Sequence, residues 1–176
     1  MAQRPCELEE IKTQPFYPKQ EIEMTRYEST IKQIPYPVES VYAKLADLNN
    51  LQVIRERIDD PLIQQQIPAD KLSQVRDVVS KMEFTSDRVS CNAGIAGNIA
   101  VEIIEREENK CVKFQSVSSP VGFTLWVQVL PVSESGSKLK LTIDADLNFF
   151  MKQMLDKPLK NGIEKMADVL SMIPYN

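Results

Sequence analysis

The side chains best suited to nucleophilic or acid–base chemistry are three cysteines, five tyrosines and a scatter of carboxylates, because the 176 residues contain no histidine. Cys6, Cys91 and Cys111 stand far apart and have no imidazole to deprotonate them, which removes a thiol–imidazole nucleophile. The commonest general acid/base is missing with it. Zinc needs three or four ligands brought together at short spacings, and none occur, so neither a metal nor another cofactor is expected. No phosphate-cradling loop or serine elbow is present; Gly94-Ile-Ala-Gly97 reads as a tight hairpin turn. Tyr27, Tyr42 and Glu102 reach an interior only if strand registers shift by one residue. Asp144 and Asp146 alternate with apolar neighbours and are expected in solvent.

The net charge of −4, with lysines and arginines dispersed among acids, argues against nucleic-acid binding, which needs a clustered basic surface. No apolar run is long enough to span a bilayer, so no integral membrane association is expected, and the first residues lack the apolar region of a secretory signal. An odd, sparse set of cysteines fits a reducing compartment, and a cytoplasmic location follows.

These residues must be positioned by a recognisable order of elements. Residues 1–23 carry Pro5, Pro15 and Pro18 among five glutamates, and read as a poorly structured extension, with Met24 as the functional start. Phe16 and Tyr17 offer the alternative of anchoring that segment across the domain. Residues 24–176 read as one domain. A first strand covers 25–34 and is stopped by Pro35 and Pro37. A helix follows over 37–47, its apolar stripe made of Val38, Val41, Tyr42, Leu45 and Leu48. Two shorter helical pieces cover 51–58 and 61–67, and Pro68-Ala-Asp-Lys breaks the pattern. From about Val78 the period becomes two, predicting strands over 81–85, 88–93, 99–104, 111–116, 121–129 and 138–147 with polar turns between them. Residues 148–173 predict a long helix with Met151, Met154, Leu155, Leu159, Ile163, Met166, Leu170 and Ile173 as its buried stripe. Pro158 is expected to kink it, with Gly162 one turn later.

The residues Ile34-Pro35-x-Pro37, Val41-Tyr42, Asp47-Leu48 and Leu51 resemble the opening of the START/Bet v 1-like (SRPBCC, polyketide cyclase-like) superfamily. The later Thr124-Leu125-Trp126-Val127, Lys157-Pro158-Leu159 and Met172-Ile173-Pro174-Tyr175 agree, so the resemblance covers about residues 24–175. It implies an α+β helix-grip fold, a curved antiparallel sheet wrapped around the C-terminal helix with a cavity between them. Related proteins hold apolar or amphiphilic small molecules there. The matching wall would be Phe123, Leu125, Val127, Leu141 and Ile143 from the sheet and Met151, Met154, Leu155 and Leu159 from the helix. Methionine suits such a wall because its unbranched thioether adapts to different shapes.

The expected function is therefore sequestration or transport of a hydrophobic small molecule, gated near Pro158 and Gly162. One alternative is a filled core whose outer sheet face makes a homodimer or client contact. Trp126 is its marker, since it shares parity with Thr124 and Gln128 and points away from Phe123 and Leu125. A β-bulge would reverse that parity. The other alternative, a cyclase- or hydratase-like enzyme, requires polar groups converging inside the cavity.

Overall fold

The structure is a computed structural model and describes residues 21–92 and 97–176. Cys6, Phe16, Tyr17, the extension over 1–20 and the Gly94 end of the hairpin lie outside the described residues. The described residues form eight strands and five helices. In chain order these are β1 (Glu23–Glu28), β2 (Lys32–Ile34), α1 (Val38–Ala46), α2 (Asn49–Glu56), α3 (Pro61–Gln66), α4 (Ala69–Ser80), β3 (Met82–Phe84), β4 (Arg88–Asn92), β5 (Asn98–Glu107), β6 (Cys111–Ser118), β7 (Phe123–Ser133), β8 (Gly136–Leu147) and α5 (Phe149–Met172). The strands make one antiparallel sheet in the order β1-β8-β7-β6-β5-β4-β3, and β2 also pairs with β8. The fold class is α+β, with the long helix α5 held against the sheet.

Strict alternation explains β8. Leu139, Leu141, Ile143, Ala145 and Leu147 are all buried, and they face α5. Register shifts at Ala100/Val101, Ile103/Glu105 and Pro131/Ser133 add local bends that let the sheet curve.

The expected strand over 25–34 is two strands. Glu28 faces Thr142 and Lys32 faces Leu139, so one edge carries an extra residue. Ser29 fills the resulting gap. Its N–H donates to the Leu141 carbonyl and its hydroxyl oxygen accepts from the Leu141 N–H, both at 2.9 Å. A side chain thus replaces the backbone acceptor that the bulge removes.

Pro68 ends α3, as expected, but it also opens a helix that the sequence pattern did not predict. Its carbonyl accepts from Lys71 and Leu72, and α4 runs on to Ser80. A proline at a helix start loses nothing, because its missing N–H would have had no intrahelical partner. Leu72, Val75 and Val79 then pack with Ile58, Ile67 and Val169 in a small apolar cluster at the far end of α5.

Helix α5 starts on Asn148, whose side chain accepts from the Met151 N–H at 2.8 Å. It runs unbroken through Pro158. Its end is tied to α1: Tyr175 is 1% exposed, donates to the Leu170 carbonyl and sets its ring edge-on to Tyr36. The Lys44 ammonium donates to the carbonyls of Pro174 and Asn176 at 2.8 and 3.0 Å. Among the described residues, no helix is long and apolar enough to cross a membrane.

Candidate functional site

A cavity of about 330 Å³ lies between the sheet and α5. Its floor follows from register. Phe114, Leu125 and Ile143 sit opposite one another on β6, β7 and β8, and Phe123 faces Ala145 in the next inward row. Val101 and Val127 extend the floor. The roof is one face of α5, built from Pro158, Leu159, Gly162, Ile163, Met166 and Leu170 at helical spacing. Leu45 of α1, Leu48, Leu51 of α2 and Val79 of α4 close one end, and Met82, Phe84 and Val89 close another side. Among the described residues that line it none is charged, and Ser90 and Cys91 are the polar exceptions.

Gly162 matters for a geometric reason. It lines the cavity while remaining exposed, and a methyl group built at its Cα would meet nothing within 4 Å.

Of the wall residues expected from the sequence, Phe123, Leu125, Val127, Ile143 and Leu159 line the cavity. Leu141 is fully buried in the core but does not reach the cavity surface. Met151 and Leu155 are half-buried against the core, beyond the lining. Met154 is misplaced in the expected wall: it is 74% exposed, because it lies about 100° around the helix from Leu155 and falls off the sheet-facing stripe. Val101, Phe114, Met166 and Leu170 line the site without having been singled out as wall residues. The alternation of β5 and β6 carried the signal for the first two, and the stripe of α5 carried it for the others.

The polar candidates lie elsewhere. Tyr27 is buried, but its hydroxyl donates to Asp156 Oδ1 at 3.1 Å outside the cavity, and burial first and that carboxylate second push its pKa up. Glu102 pairs with Arg88 across β4 and β5 at 3.4 Å. Tyr42 is half-buried against the core and does not line the cavity. Cys91 does line it, and burial raises its thiol pKa, which keeps it protonated and weakly nucleophilic near neutral pH. Among the described residues no cluster of ligating side chains could hold a metal ion. A second, open cleft of about 460 Å³ shares Ser90, Cys91 and Ile99 with the cavity but is polar, and its cations are already paired, Lys81 with Asp77 and Arg88 with Glu102.

On the sheet's other face Trp126 lies between two cations, with the Arg26 guanidinium 6.0 Å and the Lys113 ammonium 5.4 Å from its ring. Asp144 belongs to the same patch. It is not solvated as expected but 6% exposed, held by both arms of Arg26. The guanidinium beside it keeps its carboxyl below the usual carboxylate range. Asp146, by contrast, is exposed.

No family model and no curated protein matches the sequence. Solved structures do match in shape. Norcoclaurine synthase from Thalictrum flavum, in complex with dopamine and hydroxybenzaldehyde, aligns with a TM-score of 0.58 at 10% identity over 86% of each chain. The di-domain ARO/CYC BexL aligns with a TM-score of 0.58 at 16% identity, over 84% of this chain and 45% of that one. A START superfamily protein from Mycobacterium smegmatis gives 0.51 at 10% identity, over 84% and 94%. With α5 packed on β8, β1 and β2, these alignments show that the chain shares the helix-grip fold of those structures.

Proposed function

We propose that the protein binds a hydrophobic or amphiphilic small molecule in the cavity under α5, to sequester or carry it. The observation that carries this reading is the lining. A partly open space within the usual range for small-molecule sites has, among the described residues, no charged wall. Each methylene transferred from water into such a space contributes about 0.8 kcal/mol before the cost of ordering the ligand is counted. An apolar chain or ring system therefore gains most, and a polar head fits only at an opening. Pro158 and Gly162 both carry accessible surface and line the cavity, which supports entry along that edge of the helix.

Catalysis on a polar substrate would require acid/base groups in the wall. Ser90 and a protonated Cys91 supply little of that chemistry, so the lining favours binding over a cyclase- or hydratase-like reaction. Cys91 and Cys111 are both free thiols, which supports a reducing compartment such as the cytoplasm. A homodimer through the Trp126 face gains less support, since Arg26 and Lys113 already flank the indole.

The test is native mass spectrometry of protein purified from its own host, joined to a titration with a lipophilic fluorescent dye. A bound apolar species and saturable, displaceable dye binding are the expected results. Protein that carries nothing and binds no dye saturably would reject the reading.

A further inference from the structure

Helix α5 begins with large apolar side chains that nothing among the described residues covers. Phe149 and Phe150 are 71% and 68% exposed, and Met154 is 74% exposed. The two rings meet edge-on at 6.4 Å, so they shield each other only in part. Phe150 and Met154 are four residues apart and share one side of the helix. Met24, 69% exposed, stands opposite Asp146 at the same end of the sheet. The exposed apolar surface of Phe149, Phe150 and Met154 at one helix tip is of the kind that marks a contact site.

The charges beside it select the partner. Lys152 and Lys157 are exposed within the first three turns and make no ion pair among the described residues, while Lys160 is held by Asp156. Two cations without a close ion pair, Lys152 interacting with Asp156 only at longer range, stand at an aromatic and thioether tip of a chain whose net charge is −4. An isologous contact with a second copy would place the same two lysines on both sides of the seam. An anionic bilayer surface instead accepts the apolar tip among its acyl chains and the ammonium groups among its phosphates.

We propose that the start of α5 is a peripheral docking surface for anionic phospholipid bilayers. This inference stands on the exposed tip and its lysines, independently of what the cavity holds. It also gives the cavity a geometry for exchange, since Pro158 lies one turn beyond Met154, about 6 Å along the helix.

The experiment is co-flotation of the full chain with vesicles of phosphatidylcholine alone and with vesicles that also contain phosphatidylglycerol. The expected result is partitioning onto the anionic vesicles only, weakened when salt rises from about 0.1 M to about 1 M and the screening length falls from about 10 Å to about 3 Å. The Phe149→Ser/Phe150→Ser double variant should lose about tenfold or more of this partitioning. Lys152→Gln/Lys157→Gln should lose the preference for phosphatidylglycerol. Because all four side chains are exposed, circular dichroism should show an unchanged fold. Failure of the full chain to float with either vesicle would overturn the proposal. So would binding that the phenylalanine variant retains. A dimer that the same variant converts to monomer would assign the patch to a second copy, and flotation seen only after removal of residues 1–20 would assign it to that segment; either overturns it. Dye binding in the cavity is measured separately, so loss of one result does not imply loss of the other.

Discussion

Arg26 and Asp144 face each other across β1 and β8, with the guanidinium Nε and Nη2 donating to the two carboxylate oxygens at 2.7 and 2.8 Å. The arginine is 61% exposed and the aspartate 6%, so solvent reaches one partner and not the other. Removing Arg26 would leave a buried carboxylate stranded opposite Thr124, whereas removing the charge of Asp144 would leave an arginine that water can solvate. Arg26→Leu should therefore lower the urea midpoint at neutral pH more than Asp144→Asn does. The folded-state pKa of Asp144 is depressed, so the pair's contribution is present above the ordinary carboxylate pKa and lost as pH falls through the folded value. Equal midpoints for the two variants would show that the pair is solvated on both sides.

Glu164 ties α5 to the β1–β2 bulge. Its carboxylate accepts from the Thr30 N–H at 2.9 Å, from the Thr30 hydroxyl and from Lys32, which Asp168 also holds. Lys32 first, then the two Thr30 donors, bring its pKa down to about 2 from an ordinary 4.5. The stabilisation is complete above about 4.5 and disappears as pH drops toward about 2. At a side chain about one-third exposed, solvent screening reduces the expected effect to about 1 kcal/mol. Urea denaturation between those pH values should show a slope that Glu164→Gln flattens. An identical slope in the variant would mean that other carboxylates govern acid unfolding.

Gly162 separates a stability effect from a binding effect. Alanine there meets open space and has the better helix propensity, so Gly162→Ala should stabilise by about 0.5–1 kcal/mol in thermal denaturation and leave dye binding intact. Gly162→Phe adds a ring at a position that lines the cavity and should weaken saturable dye binding while circular dichroism stays unchanged. Unimpaired dye binding in the phenylalanine variant would place the ligand somewhere else.

The uneven legibility of this chain has a physical pattern. The inward face of β8 could be read residue by residue because its apolar side chains alternate without a fault, although the outer face is itself buried at Thr142 and Asp144. The α5 stripe was readable for the same reason, except that Met154 is apolar on an outward side, and composition alone does not distinguish a buried methionine from one at an exposed tip. α4 escaped because a proline ends one helix and begins the next with the same ring. Asp144 was placed correctly on the outer face but assigned to water. It is held by Arg26, 118 residues away, whose guanidinium also lies over a tryptophan from a third strand, and no local period encodes that arrangement.

Ser29 offers the sharpest check on how the sheet bends. Its hydroxyl is the acceptor for a buried N–H of β8, at a point where the bulge leaves no backbone carbonyl in reach. Ser29→Ala strands the Leu141 N–H and should cost about 1–3 kcal/mol, the penalty for a buried donor without a partner. Ser29→Thr keeps the oxygen and β-propensity, and should recover most of that loss if the added methyl group is accommodated. Hydrogen exchange at the Leu141 amide distinguishes the mechanism from simple packing loss. The amide should exchange faster in the alanine variant, and more so than its neighbour Ile143. Uniform acceleration along β8 would instead mean that the serine acts through global stability, and the bulge would then need another explanation.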